Sequence, residues 1–218
     1  MTAFWDEKFS RGGYYFGEAP NAFLASQKHR LPASGTALAI ADGEGRNGVW
    51  LAEQGLAVTA IDSSSIGLDK AEDLARRRGV SITTELTDIA DYGWPPERFD
   101  VVAGIFFQFA PPALRSAIFA GIKRTVKPGG LVLIEGYRPE QLTYRTGGPP
   151  QIEHLYTREL LMAAFGDFEI LALSAHDSEI FEGSGHAGLR VEHVPAGGGD
   201  VQAGFLEGRD VGDAALGA

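Results

Sequence analysis

The feature that narrows the fold most is a glycine-rich turn. Gly43-Glu44-Gly45-Arg46-Asn47-Gly48 directly follows the short apolar run 37–40 and leads into a helical pattern over 48–54, which Gly55 stops. A strand that turns through glycines into a helix leaves unpaired N–H groups and lets the backbone approach an anionic ligand group closely. The run satisfies G-x-G-x-x-G. Asp62, nineteen positions past Gly43, ends the second apolar run, where a carboxylate can accept both hydroxyls of an adenosine ribose. Taken singly, these residues are explained by a tight turn and a solvated strand-end acid. In register after a strand and before a helix, they specify an adenosine-containing ligand.

The rest of the chain repeats the strand-then-helix alternation of βαβ units. Further strands are predicted over 82–86, 101–106 and 131–135, after those at 37–40 and 57–61. Helices are predicted over 66–78, with Ser65 as N-cap and Gly79 past the end, and over 113–125, opened by Pro112 and striped by Leu114, Ile118 and Ile122. Thr157 caps another over 158–165. Two late strands, 170–174 and 189–194, are expected to pair antiparallel at the sheet edge. The expectation is a doubly wound, Rossmann-like α/β fold: a mostly parallel seven-stranded sheet with a late antiparallel strand pair and helices on both faces. One domain over 1–195, with 1–30 as an N-terminal cap segment, is followed by a Gly/Ala/Asp-rich stretch, 196–218, that reads as a tail.

Composition excludes several functions. With 29 acidic and 19 basic residues in 218, the formal charge of −10 repels a phosphate backbone, so nucleic acid is not expected as a partner. The chain has no cysteine, which removes disulfides, zinc-thiolate sites and thiol nucleophiles. No metal site is expected. No segment has the apolar length of a signal peptide or membrane span, so a cytoplasmic protein without membrane contact is expected, as monomer or homodimer.

The turn alone does not separate a nicotinamide dinucleotide from a methyl donor. Asp88, in Leu86-Thr87-Asp88-Ile89, stands where a carboxylate can accept a hydrogen bond from an adenine amino group while Ile89 covers the ring. Phe99-Asp100-Val101-Val102 enters the fourth strand, and Lys127-Pro128-Gly129-Gly130 turns into the fifth. Too few residues follow for the separate substrate domain of many dehydrogenases. An NAD(P)-dependent oxidoreductase and a non-catalytic adenosyl-ligand module stay as alternatives.

Ala41 to Asn47 with Val49-Trp50-Leu51-Ala52 resembles the glycine motif of class I S-adenosylmethionine-dependent methyltransferases, in the branch of the tellurite-resistance and thiopurine enzymes. Trp5-Asp6, Tyr15-Phe16-Gly17, Pro20-Asn21 and the stretch 144–150 extend the resemblance, which runs from Phe4 to Pro195. It implies S-adenosyl-L-methionine as cofactor, with Gly43 and Gly45 cradling the methionine moiety. Asp62 would serve the ribose and Asp88 with Ile89 the adenine, and Glu44, Arg46, Asn47, Ser63, Ile105 and Phe106 are the further cofactor-binding candidates. Ala39 and Ala41 depart from the family pattern of an acid and a glycine, so backbone carbonyls near Gly104 and Ile105 become substitutes for the amino-group contacts.

Methyl transfer asks the protein chiefly to align the reacting atoms. An anionic acceptor needs no base and gains from a dry pocket, which suits a soft sulfur, selenium or tellurium nucleophile. A neutral amine or hydroxyl needs a base, for which Glu135, Tyr137, His154 and His176 are visible; Tyr137 and His154 are the catalytic candidates. Tyr15, Phe16, Tyr137, Arg138 and His154 are the candidate acceptor contacts, with 138–150 as the acceptor loop. Most of the aromatics, Trp5, Phe107 and Phe109 among them, are expected to pack the core, whereas Tyr15 and Phe106 are the candidates to lie against the sulfonium or wall the acceptor pocket.

Overall fold

The computed structural model describes residues 2–144, 148–178 and 198–207. Strands β1 (Gly35–Ile40), β2 (Leu56–Asp62), β3 (Thr83–Leu86), β4 (Phe99–Ile105), β5 (Val126–Tyr137), β6 (Phe168–Ser178) and β7 (Gly198–Glu207) lie in the sheet order β3-β2-β1-β4-β5-β7-β6. The pairs among β1 to β5 are all parallel. The order reverses between β1 and β4, the point at which open α/β sheets bind ligands. Helices α1 (Thr2–Phe9), α2 (Ala22–Ser26), α3 (Arg46–Glu53), α4 (Ser65–Arg78), α5 (Pro112–Thr125), α6 (Gln141–Tyr144) and α7 (Arg158–Ala164) complete the chain.

Period-two alternation explains why both faces of the sheet are covered. In β1, Leu38 and Ile40 join Val102, Ile118, Ile122, Val132 and Phe165 on one side, while Ala37 and Ala39 join Leu51, Val58, Val101 and Leu133 on the other. Each fully buried aliphatic side chain contributes ~1.5–3 kcal/mol relative to exposure, so two such layers hold the strand ends, and the residues on them, in place. Among the described residues no helix is long and apolar enough to cross a membrane.

Several expected boundaries shift. Gly45, at φ +88°, is the N-cap of α3, so the helix begins at Arg46, two residues early. A Cβ on Gly45 would fall 2.5 Å from Cβ of Ala71, which lets α3 and α4 pack closely. The cap of α4 is Ser64, whose hydroxyl accepts from Gly67 N, in place of the expected Ser65. Of the expected late pair, 170–174 falls in β6, whereas 189–194 lies outside the described residues. The strand beside β6 is β7, which runs antiparallel to both β5 and β6. Domain boundary and tail therefore need correcting: 198–207 is part of the sheet. Glycine and alanine have poor strand propensity, and ladder bonds on two sides outweigh it.

Candidate active site

A cavity of about 690 Å³ opens at the C-terminal ends of β1, β2, β3 and β4. Its floor is the glycine turn. Gly43 N donates to Asp62 Oδ2 at 2.9 Å and Ser64 N to Oδ1 at 2.8 Å, which fixes the Asp62 carboxylate. Burial raises the Asp62 carboxyl above the ordinary range, against the opposing effect of the N–H groups of Ser64, Gly43 and Ser63. Ser63 lines the cavity, and so do Asp88 and Ile89 beyond β3. Asp88 Oδ1 accepts from Ala90 N at 3.0 Å, and Thr87 N bonds to Asp62 O at 2.9 Å, which ties the two acids' loops together.

Asp42, unforeseen as a site residue, also lines the cavity. Both of its oxygens lie 3.1 Å from Gly48 N, so it caps α3 from inside the turn. Burial, reinforced by the charge of Asp62, pushes its carboxyl up to about 7, although the Gly48 N–H and Arg46 pull the other way. Ala41, two residues before Gly43, takes φ +50°.

The opposite wall comes from β4, β5 and the loop that follows. Phe106 has φ +55°, and its ring lies 4.5 Å from that of Tyr137. Gln108 is buried to 3% exposure: its amide donates to Tyr137 O at 2.8 Å and to His154 O at 3.4 Å, and its oxygen accepts from Tyr137 N. It closes the end of β5 as a neighbouring strand would, and no sequence pattern announces it. His154 lines the cavity, and its Nδ1 is buried with no partner among the described residues. Ile105, Phe109, Gly148, Pro149, Pro150 and Gln151 complete this wall.

The roof is α1 and the strand-less segment after it. Phe4, Trp5, Lys8 and Phe9 line the cavity with Tyr15 and Phe16. Trp5 stacks on Phe9 at 5.5 Å, and a Cβ on Gly43 would meet Phe9 at 2.9 Å, so the roof rests on the turn. Ser64 Oγ donates to Asp6 Oδ1 at 2.5 Å. The i, i+4 pairs Phe4/Lys8 and Trp5/Phe9 were the available signal for this inward face.

Of the expected cofactor residues, Gly43, Arg46, Asn47, Asp62, Ser63, Asp88, Ile89, Ile105 and Phe106 border the cavity, as do Tyr15, Phe16, Tyr137 and His154 among the acceptor candidates. Glu44, Gly45 and Arg138 do not. Glu44 is buried and points its charge elsewhere: Oε2 accepts from Tyr15 N at 2.6 Å and Oε1 pairs with Lys70 Nζ at 2.7 Å. Lys70 Nζ also donates to Gly13 O at 2.6 Å, so Glu44 anchors the roof. Gly45 serves helix packing. Glu135 is a buried residue of β5 that does not border the cavity, and His176 falls in β6. Phe107 packs in the core against Phe119 and Tyr156, whereas Trp5, Phe106 and Phe109 face the cavity.

Residues 37–130 match the family described as a methyltransferase domain. No curated protein matches the chain. Among solved structures, one described by the conversion of a disulfide bond into a thioacetal group during echinomycin biosynthesis is similar with a TM-score of 0.72 and 20% identity, over 97% of this chain and 94% of that one. TehB from Haemophilus influenzae gives 0.69 and 16%, over 95% and 67%. The N-methyltransferase NodS from Bradyrhizobium japonicum WM9, in complex with S-adenosyl-L-homocysteine, gives 0.68 and 13%, over 95% and 98%. The chain thus has the Rossmann-like α/β fold of these structures, and its residues 37–130 are similar to a methyltransferase domain.

Proposed function

We propose that the protein is an S-adenosyl-L-methionine-dependent methyltransferase acting on a small molecule. The observation that carries this reading is the convergence of the glycine turn, Asp62 and Asp88 on one cavity that also holds a separate aromatic wall. About 690 Å³ lies within the ~300–1,000 Å³ of sites that enclose drug-sized ligands.

The residues fit an adenosyl ligand. Asp62 keeps an acceptor site toward a ribose, Asp88 and Ile89 suit the adenine edge and face, and the turn leaves N–H groups for the amino-acid end. When bound, S-adenosyl-L-methionine supplies a methyl carbon on a sulfonium, which an acceptor displaces in line. This chain's part is alignment and water exclusion: the aromatic roof covers the turn, and Phe106 and Tyr137 wall the acceptor side.

For the acceptor, a soft sulfur, selenium or tellurium nucleophile suits the site best, because it ionises without a dedicated base and its charge cancels in an apolar cavity. For a neutral amine or hydroxyl, His154 is the better placed base, since its Nδ1 has no protein partner among the described residues.

A thermal-shift screen of S-adenosylmethionine, S-adenosylhomocysteine and NAD(P) tests the cofactor. The two adenosyl ligands should raise the Tm; a rise with NAD(P) alone would mark an oxidoreductase. A panel pairing thiols and chalcogen oxyanions with amines and phenols, read by S-adenosylhomocysteine production, then tests the acceptor. Turnover confined to amines or phenols and lost in His154→Ala would overturn the soft-nucleophile reading alone. Binding of adenosyl ligands with no turnover would mark a binding module.

A further inference from the structure

Two cations line the cavity, Lys8 from α1 and Arg46 from α3, against three carboxylates, Asp42, Asp62 and Asp88. Arg46 is engaged: Nη1 donates to Phe16 O at 3.4 Å and its guanidinium lies 5.9 Å from the Phe16 ring centroid. Lys8 has no carboxylate or carbonyl partner among the described residues. Its ammonium is held between two rings, 5.3 Å from the Phe4 centroid and 5.4 Å from that of Tyr15. Ring faces steer a cation without neutralising it. In a chain of charge −10, a half-buried ammonium at a ligand cavity with no carboxylate partner among the described residues is available to a ligand anion.

We propose that Lys8 is the anion-binding residue of this cavity and that it takes a ligand carboxylate, thereby tying α1 to the bound ligand. Its neighbour Phe9 rests on Gly43, so the ammonium is carried on a helix docked to the turn. Without Lys8, an anion in the cavity would meet the field of Asp42 and Asp62 with only the engaged Arg46 to offset it. The proposal rests on the adenosyl-ligand reading above. Under that reading two molecules present such an anion: the amino-acid end of the cofactor and a carboxylate-bearing acceptor. The two arms of the test separate them.

The test is calorimetry on the whole chain with Lys8→Met and Lys8→Arg. The probes are S-adenosylhomocysteine and 5′-methylthioadenosine, which keeps the nucleoside and loses the carboxylate. Lys8→Met should weaken S-adenosylhomocysteine about tenfold, the scale of one charge-assisted contact, and leave 5′-methylthioadenosine unchanged, with Lys8→Arg restoring most of the loss. A second arm titrates benzoate into protein saturated with S-adenosylhomocysteine. If S-adenosylhomocysteine affinity is unchanged and benzoate binds the parent chain but not Lys8→Met, the anion is the acceptor's and the anion site stands. Equal weakening of both nucleosides would reduce Lys8 to a packing residue and overturn the proposal. So would no change in either arm. Failure of the parent chain itself to bind S-adenosylhomocysteine would refute the methyltransferase reading instead.

Discussion

Asp42 carries the strongest electrostatic conflict in the site. Its carboxyl titrates at about 7 in the folded chain against an ordinary 3.8. Because the folded value is the higher one, the folded state holds a proton that the unfolded state has released between about pH 4 and 7, and stability from this group falls as pH rises through that window. Asp42→Asn keeps an oxygen for Gly48 N and removes the charge. Relative to the parent, the variant should be indifferent near pH 4 and gain up to about 4 kcal/mol by pH 8, measured by urea unfolding across pH. A difference that stays flat with pH would contradict the buried-charge account. At this scale the sequence was partly legible: Asp62 and Asp88 stand out by their place after strands, and both border the cavity. Asp42 was hidden inside a motif valued for its glycines. Gln108 was invisible because its partner is backbone brought alongside by the sheet.

Among the elements, α1 and β7 show what local sequence conceals. Helix α1 has only eight residues and is held by Ser64 on Asp6 and by Phe9 on Gly43, while Glu44 anchors the segment that follows it. Removing that carboxylate in Glu44→Ala takes an acceptor from the Tyr15 amide and the ion pair from Lys70, which keeps its bonds to Arg11 O and Gly13 O. Hydrogen exchange of Tyr15 and of α1 should then quicken by at least about tenfold, with little change in β1 or β4. Exchange at the parent rate would mean that the roof does not depend on Glu44. Strand β7 was read as tail because Gly198, Gly199, Ala203 and Gly204 signal a turn-rich stretch, whereas its register is set by β5 and β6. Deleting 197–218 strips seven paired positions from β5 and ten from β6, so the Tm should fall by about 10 °C or more. An unchanged Tm would return this segment to the status of a tail.

For the whole molecule, the parallel core was legible because burial on both faces writes itself as apolar runs, and the crossover helices as their polar-apolar complement. What resisted reading depends on contacts distant in sequence: the roof, the strand-end clamp and the acceptor wall. The central claim is that this cavity is built for an adenosyl ligand held by Asp62. It is tested most directly by titrating S-adenosylhomocysteine and NAD into the parent chain and into Asp62→Ala, with unfolding curves to show that the variant is folded. The account predicts one S-adenosylhomocysteine per chain, bound at least about tenfold more weakly by the variant, as expected for loss of a contact of roughly 1.5–3 kcal/mol, and no comparable NAD binding. Equal S-adenosylhomocysteine affinity in parent and folded variant, or tight binding of NAD in its place, would contradict it.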